Sequence, residues 1–245
     1  MFESVCVVGA GRVGQAAVAR LGERTPARLT GRELACAGAD LVLVCVPDRA
    51  IAEVAAAIPT GPWVAHTSGA AGLATLAPHR RRFSVHPLQT FQVGLGPGQF
   101  DGAWAAVTAE SEEARAAGFA LARLLGLEPF ELADEDRPAY HAAATVAASF
   151  LVTLHDAAAE LMAAAGAPPE ALEPLMRRTI ENGFRPTGPF VRGDWPTVEA
   201  HLEAIRERCP DLEPLYRALA DATATSPVGA GYIRPLRRRE EMRWT

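Results

Sequence analysis

Apolar residues in the first half of the chain fall in short runs separated by amphipathic stretches. This is the pattern of a mostly parallel sheet covered by helices. The runs predict strands at Val5–Val8, Ala27–Thr30, Leu41–Val46, Trp63–His66, Arg82–Val85, Trp104–Val107 and Pro129–Glu131. The stretch from Asp40 to Pro47 is apolar at nearly every position, as a strand buried on both faces must be. Helices are expected at Gln15–Leu21 and Arg49–Ala57. Near Asp134 the pattern changes to segments rich in Ala, Leu, Glu and Arg, with breaks at Gly166–Pro169 and Gly183–Pro189. The segment Asp134–Ala165 reads as one long helix, because no proline follows Pro138 within it. The expectation is an α/β protein, with a sheet domain at residues 1–133 and a smaller all-helical domain at 134–245. The charge run Arg237–Glu241 reads as a solvated terminus.

The turn after the first strand carries the clearest chemical signal. Gly9-Ala10-Gly11-Arg12-Val13-Gly14 stands between a strand and a helix. There, glycines permit a tight turn, close approach to a pyrophosphate and close helix–strand packing. Free N–H groups and the positive end of the helix would hold the phosphates. This predicts a Rossmann-type dinucleotide domain. At the end of the second strand, where an acidic residue would grip a ribose 2′-hydroxyl, the chain reads Leu29-Thr-Gly-Arg32. The planar fork of Arg32 suits a 2′-phosphate, so NADP(H) is expected rather than NAD. Glu33 follows, and either caps the adjacent helix or faces the ribose. Val46 and Pro47 end the third strand beside the nicotinamide-side ribose, and Asp48 is expected to cap the next helix.

Polar side chains cluster at two further strand ends. One is His66-Thr-Ser68-Gly69; the other is His86-Pro-Leu-Gln89-Thr-Phe91. Such groups beside a cofactor turn make a substrate site. His86 is either a proton donor, since imidazole titrates near neutrality, or a ring that ties its loop down. On the long helix Arg137, His141, Thr145 and Ser149 recur every four residues and share one face. That ladder either lines a cleft or forms a solvated stripe. The turn Arg185–Asp194 either delivers Thr187 or Arg192 to the substrate or is a cap network around Asp194. His79 and His201 read as surface positions.

Composition narrows the class. A net charge of −5 disfavours nucleic acid or a membrane surface as the main partner. No uninterrupted apolar run reaches the ~18–20 residues of a membrane helix, and the first residues lack a signal-peptide layout. Cys6, Cys36, Cys45 and Cys209 show no zinc or redox spacing. They are expected to be reduced thiols of a cytoplasmic protein, and no metal site is expected. An alanine-rich helical domain often needs a partner to bury its apolar faces, so a homodimer is expected.

The chain resembles a family of short Rossmann-type proteins with an otherwise uncharacterised helical C-terminal domain, some credited with ketopantoate reduction. The resemblance rests on Gly9–Gly14, His86–Phe91, Tyr140–Ala144, Thr187–Pro189 and Arg192–Asp194. More distantly, it is similar to 6-phosphogluconate and β-hydroxyacid dehydrogenases, ketopantoate reductases and pyrroline-5-carboxylate reductases. Its His-Pro pair is similar to that of prephenate dehydrogenases, where the histidine meets the substrate hydroxyl. In the family a lysine usually stands at Arg137 and an asparagine at Ser149. Arginine cannot give up a proton near neutrality, so the donor would be His86, His141 or a water.

The resemblance implies an NADPH-dependent oxidoreductase that reduces a small 2-oxo acid, ketopantoate first, in a cleft between the domains. Arg137, or else Arg192, would hold the carboxylate, and Ser68, Gln89 and Ser149 would orient the substrate. The rival readings are an imine reductase, a prephenate-type dehydrogenase and a non-catalytic NADP(H)-binding sensor.

Overall fold

The computed structural model describes residues 2–31, 33–185 and 187–225. Two compact units divide between Ala148 and Ser149. The division falls inside the long helix rather than at its start near Asp134.

The first unit is built on a seven-stranded sheet of order β2-β1-β3-β4-β5-β6-β7. Its strands are β1 (Val5–Val8), β2 (Ala27–Thr30), β3 (Leu41–Val44), β4 (Trp63–His66), β5 (Arg82–Leu88), β6 (Trp104–Ala109) and β7 (Glu128–Glu131). Six pairings follow the order; five are parallel and only β5–β6 is antiparallel. All seven sequence-predicted strands are present.

Burial explains the continuous apolar runs. Every residue of β1, β3 and β4 is buried. Alternate residues feed opposite faces, as the two-residue period of a strand requires. Val5, Val7, Leu41, Leu43, Phe83 and Val85 pack with Leu21, Leu121 and Leu125, which lie on α1 (Arg12–Gly22) and α3 (Glu112–Leu125). Cys6, Val8, Val42, Val44 and Val64 pack on the other face with Ile51 and Ala55 of α2 (Asp48–Ala57) and with a short 3-10 turn, Leu73–Leu76. Asp48 is thus the first helical residue, with Pro47 at the cap position.

α3 has both of its ends defined by side-chain chemistry. Ser111 accepts a hydrogen bond from the N–H of Ala114, and Glu112 and Glu113 favour the positive helix end. Gly126, at φ +93°, closes the last turn.

Among the described residues, the segment joining β2 to β3 contains no helix. The connecting segment is held by Arg28, which donates to the carbonyls of Ala35 and Ala37, and by the Thr30 hydroxyl, which accepts from the N–H of Ala35. Within it Cys36 is disulfide-bonded to Cys6, with a Cα separation of 5.4 Å. The expectation of four reduced thiols is therefore corrected. Sequence spacing of 30 residues gave no motif, but adjacency of β1 and β2 folds the loop back over Cys6. Cys45 and Cys209 are free. His79 is another correction: it is 3% exposed and its Nε2 lies 2.8 Å from the carbonyl oxygen of Ala55.

A continuous helical run follows the sheet. It comprises a 3-10 turn at Asp134–Asp136, α4 (Arg137–Thr145), a π turn at Val146–Phe150, and α5 (Leu151–Ala164). The run contains an 18-residue window of mean hydropathy 1.4, none of it buried, so by length and composition it could cross a membrane. Polar residues interrupt it at His141, Thr145, Ser149 and Thr153.

The second unit adds α6 (Leu172–Glu181), α7 (Pro189–Arg192), α8 (Trp195–Arg208) and α9 (Glu213–Thr225). Among the described residues its buried apolar side chains are Val198, Leu202, Ile205, Cys209 and Ala220. The breaks at Gly166–Pro169 and Gly183–Pro189 fall between helices as the sequence predicts.

Candidate functional site

The glycine turn is shaped by backbone crowding on one side and openness on the other. A Cβ on Gly9 would lie 2.5 Å from the carbonyl oxygen of Cys45, and φ there is +112°. A Cβ on Gly14 would lie 1.9 Å from the carbonyl oxygen of Gly9. Both positions therefore demand glycine. At Gly11, by contrast, a Cβ would meet nothing within 4 Å. Gly11 is also the cap residue of α1, and among the described residues no side-chain cap closes the helix start. An open, donor-rich helix N-terminus beside a packed turn fits a pyrophosphate. Gly11 and Arg12 are exposed, as is Ala10; Val13 and Val46 are half-buried and Pro47 is exposed. Arg32 lies outside the described residues. Burial pushes the Cys45 thiol up to about 12, so beneath this turn it is a packing group, not a nucleophile.

A second cluster forms at the ends of β4 and β5 with the first turns of α4. Arg137 is its centre. It is 1% exposed; its Nε donates to Asp134 at 2.8 Å and its Nη1 to the carbonyl of Ser68 at 3.0 Å. Nη1 also reaches the carbonyl of Gly69 at 3.4 Å, and Nη2 donates to the Ser84 hydroxyl. Asp134 in turn accepts from the N–H of Leu73. Arg137 thus ties the helix start to the turn after β4 and to the interior of β5, and all its nitrogens face protein. This differs from the expected carboxylate anchor on an open face.

Tied in this way, α4 presents its next residues to His86. The Tyr140 hydroxyl lies 2.7 Å from Nδ1 of His86. The His86 and His141 ring centroids are 6.3 Å apart. Gly69 lies between them: a Cβ there would be 2.8 Å from His141 Cδ2 and 2.8 Å from His86 Nε2. Burial, then the neighbouring His141 and Arg137, pulls the His86 pKa down to about 4, so the ring is neutral at physiological pH. Burial holds Tyr140 up at about 12, protonated. His66 is fully buried, accepts at Nδ1 from the N–H of Ser68 at 3.2 Å, and is likewise lowered to about 4, chiefly by burial. A neutral imidazole flanked by a phenol and a buried cation can hold or pass a proton.

The remaining sequence-predicted residues are placed as follows. The Ser68 hydroxyl is buried and accepts from the N–H groups of Ala70 and Ala71. Gln89 folds back on its loop, donating to the carbonyl of Gln99 at 3.1 Å and accepting from the N–H of Thr90. His141 is exposed. The four-residue ladder does not persist as one face: Arg137 is buried, His141 exposed, and the π turn at Val146–Phe150 shifts Ser149 out of register. Ser149, Thr187 and Arg192 belong to the second unit, all exposed. There Asp194 caps α8, accepting from the N–H and hydroxyl of Thr197, with Arg192 3.9 Å away. This is the cap network, one of the two readings of that turn. Among the described residues no group of three or more His, Cys, Asp or Glu is placed to hold a metal ion.

Sequence reasoning missed Tyr140, Asp134 and Ser84 as parts of the cluster. The available signal was Tyr140 at three residues from Arg137, one helical turn on. Ser84, inside a buried strand, offered none.

Comparison with known proteins bears on the fold. Residues 103–223 match the family model described as a domain of unknown function, DUF2520, and residues 20–90 match a model described as a Rossmann-like domain. Protein TM1727 from Thermotoga maritima superposes with a TM-score of 0.75 at 23% identity, over 93% of this chain and 98% of that one. The candidate NADP oxidoreductase BF3122 from Bacteroides fragilis gives 0.74 at 22%, over 91% and 98%. A reductive aminase from Aspergillus terreus, in complex with NADPH and ethyl-5-oxohexanoate, gives 0.63 at 17%, over 94% and 96%. The fold is shared along nearly the whole chain. No curated protein matches it.

Proposed function

We propose that this chain is a cytoplasmic NADP(H)-dependent reductase of a small carbonyl compound. The observation that carries the proposal is the pairing of a phosphate-fitted glycine turn after β1 with a neutral, half-buried His86 on β5 of the same sheet, past the level where β4 ends. Ligands of open α/β sheets bind beyond the carboxyl ends of their strands, where both groups stand. The turn Gly9–Gly14 would hold the pyrophosphate, and Val46 and Pro47 would flank the nicotinamide-side ribose. Arg32 would meet a 2′-phosphate, preferring NADP(H) to NAD. When bound, the dinucleotide supplies the hydride.

The chain's own residues would handle the accompanying proton. His86 or His141 would donate to the oxygen that develops negative charge, in a site where Ser68 and Gly69 shape the wall. Arg137 would act from beneath as a fixed positive charge that disfavours protonation of His86 and stabilises a nearby anion.

A 2-oxo acid such as ketopantoate is the first substrate to test. The nitrogens of Arg137 are turned to protein and hydrogen-bonded there. A second reading, an imine or carbonyl without a carboxylate, is favoured by that same engagement of Arg137. An apolar, unburied 18-residue window within the helical run Asp134–Ala164 supports a homodimer formed through the helices, in preference to a membrane, because polar residues recur along it.

The test is oxidation of NADPH at 340 nm with ketopantoate, other 2-oxo acids, neutral ketones and cyclic imines, beside direct binding of NADPH and NADH. Turnover that is lost in His86→Ala, with NADPH binding retained, is expected. Tight NADPH binding without turnover on any substrate would replace the reductase by a sensor. Absence of binding to either dinucleotide would overturn both.

A further inference from the structure

The contact between Tyr140 and His86 bears on which edge of the imidazole carries hydrogen. A phenol O–H is a far stronger acid than a neutral imidazole N–H, and an imidazole nitrogen is the better acceptor of the two groups. At 2.7 Å the hydroxyl therefore donates and Nδ1 accepts. Tyr140 is held in place from both sides: its ring packs edge-on against Phe130 at 6.0 Å, and Arg137 three residues earlier locks the helix start to the turn after β4 and to β5. The two rings of the pair stand nearly perpendicular, at 87°. With Nδ1 occupied, the ring hydrogen lies on Nε2, the edge turned towards Gly69.

We propose that Tyr140 is the positioning residue of this site: by donating to Nδ1 it fixes His86 as the Nε2–H tautomer, so that His86 offers a proton rather than accepting one. The proposal rests on the reading of His86 as the group that meets the substrate. Low basicity of the ring and high pKa of the phenol agree with it, since neither group changes charge near neutrality.

The proton step then balances without a free acid. The Nε2–H bond of His86 breaks as an O–H or N–H bond forms on the reduced substrate. The O–H bond of Tyr140 breaks as an Nδ1–H bond forms. The imidazole changes tautomer and stays neutral, and the negative charge rests on the Tyr140 oxygen, near the Arg137 charge. A proton from water restores the phenol after product leaves, and the ring hydrogen returns to Nε2.

The experiment is nitrogen-15 NMR of the full chain labelled at histidine, at pH 7.5, with His86→Gln to assign the His86 signals. A single Nε2–H tautomer at His86 is expected, giving way to a mixture of tautomers in Tyr140→Phe. A wild-type ring protonated at Nδ1, or a Tyr140→Phe spectrum unchanged from wild type, would overturn the proposal. With a substrate found on the panel, Tyr140→Phe should lower kcat about 10- to 100-fold with KM and NADPH affinity unchanged, since general-acid contributions are of that size. Unchanged kcat would overturn the proton relay. A fixed Nε2–H tautomer in a chain that turns over nothing would retire the reductase reading and leave the positioning role standing.

Discussion

The sheet unit and the helical unit solve the burial problem differently. In residues 2–148 strands β1, β3 and β4 are buried along their whole length, and helices on both faces complete two apolar clusters. In the second unit α5 and α6 contain no buried residue, while Val152 is 60% exposed and Leu175 63% exposed. A parallel sheet generates its own two-sided core, because crossover helices must return across it. A set of helices has no such closure and takes its missing surface from elsewhere. The first unit closes its core within itself; the second leaves apolar side chains of α5 and α6 exposed.

The same substitution in the two units should show the contrast most strongly. Gly14→Ala places a Cβ against a backbone oxygen that cannot move aside, and should weaken NADPH binding about 100-fold, equivalent to a packing penalty of about 3 kcal/mol. Gly166→Ala, at φ +72° with open space around it, should cost about 1 kcal/mol in thermal unfolding. Equal effects would remove the case that the first turn is a crowded, purpose-built cradle.

Arginines provide the next comparison. Arg137→Met should destabilise the sheet unit by about 3 kcal/mol, because two carbonyls and the Ser84 hydroxyl lose a buried donor. Arg192→Met, whose contact is an exposed pair, should shift stability by less than about 0.5 kcal/mol. Denaturant titration of each variant checks this. An Arg137→Met protein with wild-type stability would show that the cluster does not hold α4 in place.

Acid should act on the sheet unit through its buried imidazoles. His66 and His86 are pulled down from 6.5 to about 4, so between those values the unfolded chain binds more protons than the folded one. Their contribution is fully present above about pH 6.5 and is lost as pH falls towards 4. For His66 it is on the order of 3 kcal/mol. Urea midpoints measured from pH 7 to pH 4 should fall accordingly, and the fall should be smaller in His66→Gln. Removing exposed apolar area from the helical run, by Phe150→Glu with Val152→Glu, should have the smallest effect on chain stability. It should nevertheless convert the proposed dimer to monomer in sedimentation; an unchanged mass would move the interface elsewhere.

Much of this architecture is legible in residue order. All seven strands, the glycine turn and the helix breaks follow from local pattern, because a two-residue period, a φ above zero and a missing N–H are properties of short segments. The site was legible only in part. His86 and Arg137 stand out as polar residues in apolar surroundings, yet their roles depend on what stands across from them.

The chain order alone therefore determined the α/β class, the strand set and the place of the glycine turn between β1 and α1. Tertiary structure decided the rest. It joined Cys36 to Cys6, buried His79, turned Arg137 inward onto Ser68, Gly69 and Ser84, and set Tyr140 against Nδ1 of His86. Each of these is a contact between residues tens of positions apart. Such contacts exist only once the sheet order has brought distant strand ends together, and no local period encodes that order.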